Sequence, residues 1–279
     1  MTQLPETEVI RKDLEKEIVG KRVKDVVVKT PALLTRHRTR PDFVKALVGQ
    51  KIASITRRGT HLLIGMDNDT VLVVRPGTHG MLSRETANDD AGKFTEVVAT
   101  FTTGGALHYV DPGKDGELFV IAADEVDTDP QLSPGGLDAL AQQFTWHHFG
   151  TQLLVRAKPL KQLLLDPTFL VGLGEVYSDE ILWAAGLSGS RNSAKLSSQE
   201  VRRLYRAVLE VLHEAVKQGG TAADGDTLGE SDPFEELEST DYLRVYGKQG
   251  APCARCRQPI AHGKVTGRLM SYHCPNCQT

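Results

Sequence analysis

The chain has 279 residues, with 33 Lys and Arg against 36 Asp and Glu, 40% hydrophobic residues and 25% charged ones. A length of this order suggests about two domains, and this composition excludes an intrinsically disordered chain. No apolar run approaches the ~20 residues that a membrane span needs, and residues 6–17 are too rich in charge for a secretory signal. The four Cys all follow position 250 in two Cys-x-x-Cys pairs, a metal pattern rather than a disulfide framework. A reducing, cytoplasmic setting is the corresponding inference.

The net charge of −3 hides an uneven distribution. Residues 1–60 hold 14 basic and 7 acidic side chains, residues 242–279 hold 6 basic and no acidic ones, and residues 221–241 hold 8 acidic and no basic ones. Two basic ends separated by an acidic segment suit a protein that meets a polyanion with chosen surfaces; solvated faces of mixed charge are the alternative.

In chain order, Val9, Ile10, Leu14 and Ile18 form a helical stripe over residues 6–19 that stops at Gly20. The period then changes. Segments 22–29, 51–58, 61–66, 70–75, 95–101, 106–110 and 117–121 are short and β-branched, with Gly, Asp and Asn between them, and predict an antiparallel sandwich or barrel. A short helix is expected at 42–48 after Pro41, and helices at 135–144, 151–165, 175–185 and 197–217. The last opens with Ser197 and Glu200 in capping-box spacing, and Gly219-Gly220 closes it. Residues 221–241 lack periodicity and read as a mobile acidic loop.

Cys253, Cys256, Cys274 and Cys277 form two knuckles separated by 17 residues. Four soft thiolates fill the shell of one zinc ion and leave no open position, which makes the metal structural; an iron–sulfur site or unrelated thiols are the alternatives. His262 and His273 are expected to face solvent or pack on the hairpin. Lys264 and Arg268 flank Gly267 at the turn, with Arg255 and Arg257 on the first knuckle. A basic tip of this kind suits phosphate contact, or only solubility. Gly172-Leu173-Gly174 precedes a helix, where free N–H groups can hold a phosphate, although a plain interhelical turn has the same spacing. Glu175, directly after it, opposes an anion.

Taken together, LPETE at 4–8, KQLLLDPTFLVGLGEVYSDEILWAAGL at 161–187, and VYGKQGAPCARC at 245–256 with Gly267-Arg268 and CPNCQ at 274–278 resemble the formamidopyrimidine-DNA glycosylase and endonuclease VIII family. The resemblance spans the chain in the expected order. It implies a multidomain α+β fold: an N-terminal helix plus antiparallel β-sandwich over 1–131, a helical helix-two-turn-helix domain over 132–241 including the acidic loop, and a C-terminal zinc-finger hairpin over 242–279.

The family's N-terminal sequence is Met-Pro-Glu-Leu-Pro-Glu, in which loss of Met frees a proline amine to attack the sugar C1′ and the next Glu handles protons. This sequence has Thr2 and Gln3 there, with Glu6 the one carboxylate of the motif retained. Thr2 is small enough for Met removal, but Gln3 cannot exchange a proton at neutral pH. Thr60 replaces a phosphate-binding Lys, Arg75 and Thr78 replace His and an intercalating Met, Lys114 and Asp115 replace Arg and Phe, and Glu175 replaces an Asn that meets the phosphate. Lys161, the turn ending at Gly174, and Arg268 match, with Lys264 nearby.

Two functions follow as expectations. One is a zinc-containing DNA-binding protein in which base excision is lost or strongly weakened, with a third possibility that the acidic loop recruits a protein. The other is an active glycosylase or abasic-site lyase that uses the Thr2 amine, with Glu6 compensating for Gln3. Duplex DNA, damaged or intact, is the expected partner; one zinc ion is the expected cofactor. The protein is expected to be a monomer away from membranes, nucleoid-associated when bound to DNA.

Overall fold

The computed structural model describes residues 2–86, 92–133, 135–220 and 241–279. Apart from Asp241, the acidic segment 221–241 lies outside the described residues. The described residues fall into two compact units, one before and one after the 133/134 boundary, with the cysteine-bearing tail in the second.

In the first unit, helix α1 (Leu4–Ile18) precedes strand β1 (Val23–Val28), helix α2 (Arg40–Leu47) and strands β2 (Ile52–Arg58), β3 (His61–Met66), β4 (Thr70–Arg75), β5 (Met81–Glu85), β6 (Thr95–Phe101), β7 (Ala106–Val110) and β8 (Glu117–Ala122). They make two antiparallel four-stranded sheets, ordered β1-β6-β7-β5 and β2-β3-β4-β8. Val26, Val28, Val97 and Leu107 of the first sheet share one core with Ile55, Leu62, Ile64, Val74 and Leu118 of the second, and Leu14 and Ile18 of α1 join it. This is the sandwich of the two expected β architectures. Strands β3 and β4 read as continuous apolar runs because the outer face of their sheet is also covered: Leu63, Val71, Val73 and Phe119 pack with Val126 and Leu132. Strand β5 was not expected, since in MLSRE only Leu82 is buried and the remaining residues carry no β-branched signal.

The second unit contains helices α3 (Trp146–Leu154), α4 (Leu160–Leu164), α5 (Glu175–Ala185) and α6 (Ser198–Lys217), then strands β9 (Ala261–Thr266) and β10 (Leu269–His273). Two expected helices differ. Residues 135–144 form turns, because Leu137 donates to Phe169 O (2.8 Å) and accepts from Val171 N–H (3.0 Å), pinning the segment as an extended bridge. The helix expected at 151–165 divides into α3 and α4: Pro159 cannot continue a helix from upstream, and Ala157 takes φ 44°. The capping box of α6 forms, with Ser197 Oγ accepting from Glu200 N–H (3.3 Å) and Glu200 accepting from Ser197 N–H (2.7 Å). Its apolar stripe of Val201, Leu204, Val208, Leu212 and Ala215 is buried.

Candidate nucleic-acid interface and metal centre

The start of the chain is anchored before α1 begins. Thr2 is buried, and its hydroxyl donates to Gly77 O (2.8 Å) and Gly80 O (3.2 Å). Gln3 is the N-cap of α1, and its N–H donates to the buried Glu6 carboxylate (3.1 Å). Glu6 therefore satisfies a helix N-terminus as well as being the carboxylate nearest Thr2 in sequence.

The turn that receives Thr2 also carries Thr78, which is tied to Asp115. Its N–H donates to Asp115 Oδ1 (2.8 Å) and its hydroxyl to Oδ2 (2.5 Å). The Thr78 hydroxyl bond, more than the opposing burial, holds the Asp115 carboxyl below the usual carboxylate range. The clasp needs Gly77, where a Cβ would run into carboxylate oxygens of both Asp111 and Asp115. Arg75 donates to Asp115 O (3.0 Å) and lies 3.6 Å from Glu117, while Lys114 pairs with Glu96 at 3.2 Å. Both cations near the turn are thus drawn onto internal carboxylates and carbonyls.

In the second unit, Gly172 takes φ 69°, a left-handed conformation that favours glycine, and Gly174 is the extended N-cap of α5. Glu175 is exposed at the first helical position, adding negative charge where the helix dipole would otherwise attract an anion. Lys161, expected beside Arg268 as a backbone cation, lies in the interior. It is fully buried and donates to Asp179 Oδ1 (2.7 Å), Ser178 Oγ (2.8 Å) and Glu175 O (3.1 Å). Burial pushes its ammonium down from the usual lysine value, against the opposing pull of Asp179. Lys264 and Arg268 are both exposed on the β9–β10 hairpin, whose Gly267 has φ 54°. Arg255 is engaged otherwise: it donates to Trp183 O (2.7 Å) and Ala184 O (2.9 Å) at the end of α5 and stacks on Trp183.

The four Cys sulfurs converge within 4.8 Å of one another. Cys253 and Cys277 are 3.9 Å apart and Cys256 and Cys274 3.4 Å apart, against about 3.8 Å for sulfurs around a tetrahedral ion with bonds of about 2.3 Å. The donor set and spacing fit one four-thiolate metal ion. His262 instead stacks on Tyr272 at 4.0 Å, and His273 Nδ1 lies 3.2 Å from Ser271 O.

Three residues that sequence reasoning did not single out join α5 to this tail. Asp179 accepts from Ser271 Oγ (2.5 Å) and Tyr272 N–H (2.8 Å), Glu180 accepts from the N–H groups of Arg244, Val245 and Tyr246 (each 2.8 Å), and Trp183 Nε1 donates to Cys253 Sγ (3.4 Å). The available signal was two adjacent carboxylates in an otherwise apolar helix, since buried charges must find partners.

The profile of the Formamidopyrimidine-DNA glycosylase N-terminal domain matches residues 1–118, and that of the Formamidopyrimidine-DNA glycosylase H2TH domain matches residues 136–225. A formamidopyrimidine-DNA glycosylase of Pelotomaculum thermopropionicum is 33% identical over 280 residues, covering 100% of this chain and 99% of its own. One of Enterococcus faecalis is 36% identical over 281 residues, covering 100% and 97%. The Lactococcus lactis protein in complex with abasic-site DNA superposes with a TM-score of 0.85 at 30% identity, covering 99% of both chains. The same holds for its complex with FAPY-dG containing DNA. Matches to both family domains and to relatives over their whole length, on a β-sandwich followed by helices and a four-cysteine hairpin, show that this chain belongs to the formamidopyrimidine-DNA glycosylase family.

Proposed function

We propose that this protein binds duplex DNA on the family scaffold, holds one structural zinc ion through Cys253, Cys256, Cys274 and Cys277, and excises damaged bases weakly or not at all. The Thr78–Asp115 clasp carries the last part. The resemblance implies an intercalating Met and a gap-filling Phe at these two positions. Here both are polar, hydrogen-bonded to each other, and carry a carboxylate held in its charged form. Unstacking a base costs a few kcal/mol per step, which family members offset by inserting apolar wedges. A neutral hydroxyl and a charged carboxylate that satisfy each other offer no such compensation, and Asp115 repels phosphate. Gln3 also lacks the proton exchange that is typically worth about 10²–10⁴ in rate.

Thr2 favours a residual second activity. Removal of Met1 would leave a primary amine there, able to add to the C1′ aldehyde of an abasic sugar and lose water to give an imine, with no base to extrude. DNA binding is supported by the exposed Lys264 and Arg268 and by relatives solved in complex with DNA.

The test is borohydride trapping on duplexes carrying an oxidised purine, an oxidised pyrimidine or an abasic site. We expect no adduct with the two intact lesions and at most a weak one with the abasic site, abolished by an N-terminal extension. Strong trapping on an oxidised base would overturn the reading and promote an active glycosylase.

A further inference from the structure

Lys161 and Asp179 form an ion pair with side-chain exposures of 0% and 1%, and neither is needed to fill a shell around the cysteines. The same Asp179 carboxylate accepts from Ser271 Oγ and Tyr272 N–H on β10. Its Oδ1 thus joins α4 to the hairpin, and its Oδ2 fixes the backbone of the strand that leads back from the basic turn. Gly189 allows this close approach, since a Cβ there would lie 3.0 Å from both Lys161 Cβ and Val265 Cγ1. A buried pair of this kind adds little net stability over apolar residues of equal volume, but losing one partner strands a charge.

We infer that the Lys161–Asp179 pair is a positioning device for the finger hairpin: it sets how β10, and with it the turn bearing Lys264 and Arg268, stands on α5, so that affinity for DNA depends on two residues that do not touch it. The inference rests on the DNA-binding reading above. Preorganised cations lose less freedom on binding than cations on a loosely held hairpin, and that difference appears in affinity.

The full-length, metal-loaded protein is compared with Asp179→Ala and with the double variant Lys161→Met/Asp179→Leu, which removes both charges at similar volume and guards against misfolding of the single variant. Three quantities are read: metal per chain, amide exchange at Tyr272, and affinity for a short intact duplex as a function of salt. In both variants we expect metal retained, Tyr272 exchange faster by about tenfold, and affinity lower by about tenfold, equivalent to about 1.4 kcal/mol. The salt dependence should stay unchanged, because the exposed Lys264 and Arg268 are still present in both variants; a merely unfolded finger would lose it. Tyr272 protection as in the wild type, or wild-type affinity in the double variant, overturns the inference. A wild-type protein that fails to bind the duplex defeats the DNA-binding reading instead, and Tyr272 exchange then decides the positioning role alone.

Discussion

Arg268 and Lys161 are the two cations that the sequence resemblance matches to the family, yet the structure places one in solvent and the other in the interior. Arg268 is exposed on the hairpin, so Arg268→Ala should weaken duplex binding similarly for all sequences and reduce the slope of log affinity against log salt by about 1. A titration with several unrelated duplexes at a series of salt concentrations checks both. Lys161→Ala should act on stability, because it leaves the buried Asp179 without its cation; the cost is about 3–5 kcal/mol, seen in denaturant unfolding. At position 115 the sign of the pH effect is set by the depressed carboxyl. Its contribution is complete above the unfolded carboxylate value of about 3.9 and is lost as the pH falls through the lower folded value. The Thr78 amide resonance should therefore titrate below pH 4, and Asp115→Asn should abolish that titration.

The elements show why parts of the molecule could be read without a structure. In α6, the Ser197 cap and the apolar stripe point to the same boundaries, and Ser197→Ala should cost about 1 kcal/mol in thermal unfolding of the second unit. Strands β3 and β4 were legible because burial on both faces demands continuous apolar runs. Strand β5 was not, since pairing with β7 rather than its own residues makes it a strand. The helix expected at 135–144 failed for a tertiary reason, a backbone bridge to Phe169 and Val171 that no local pattern announces. The cysteine ligands could be read from spacing, whereas Asp179, Glu180 and Trp183 could not, because their partners lie more than 60 residues away. With the proposed zinc ion in place, chelation should open the β9–β10 hairpin and leave the sandwich intact, as the tail's small core of Val245, Ile260 and Cys residues cannot by itself offset the entropy of ordering. Amide exchange before and after chelation, read separately for the two units, tests this.

Across the molecule, the family's framework is retained, and the proposed loss of base excision rests on a few polar side chains set on it. The sandwich, the helix-two-turn-helix region and the cysteine hairpin match relatives over the whole chain, and the basic hairpin remains exposed. Thr2, Gln3, Thr78 and Asp115, which the sequence resemblance sets against a proline amine, a proton carrier and two apolar wedges, are polar residues bonded within their own unit. Fold similarity alone does not decide activity, which is a property of the side chains at a site. The substitutions Thr2→Pro and Gln3→Glu together should leave activity low, since Thr78 and Asp115 would still not offset the cost of unstacking a base. The most direct measurement is the single-turnover rate of base release from an oxidised-purine duplex, with protein in excess and binding to that duplex verified in the same sample. The account predicts a bound complex with base release absent or only slightly above the uncatalysed background. Base release at a rate typical of enzymes, about 1 per second or faster, would contradict it.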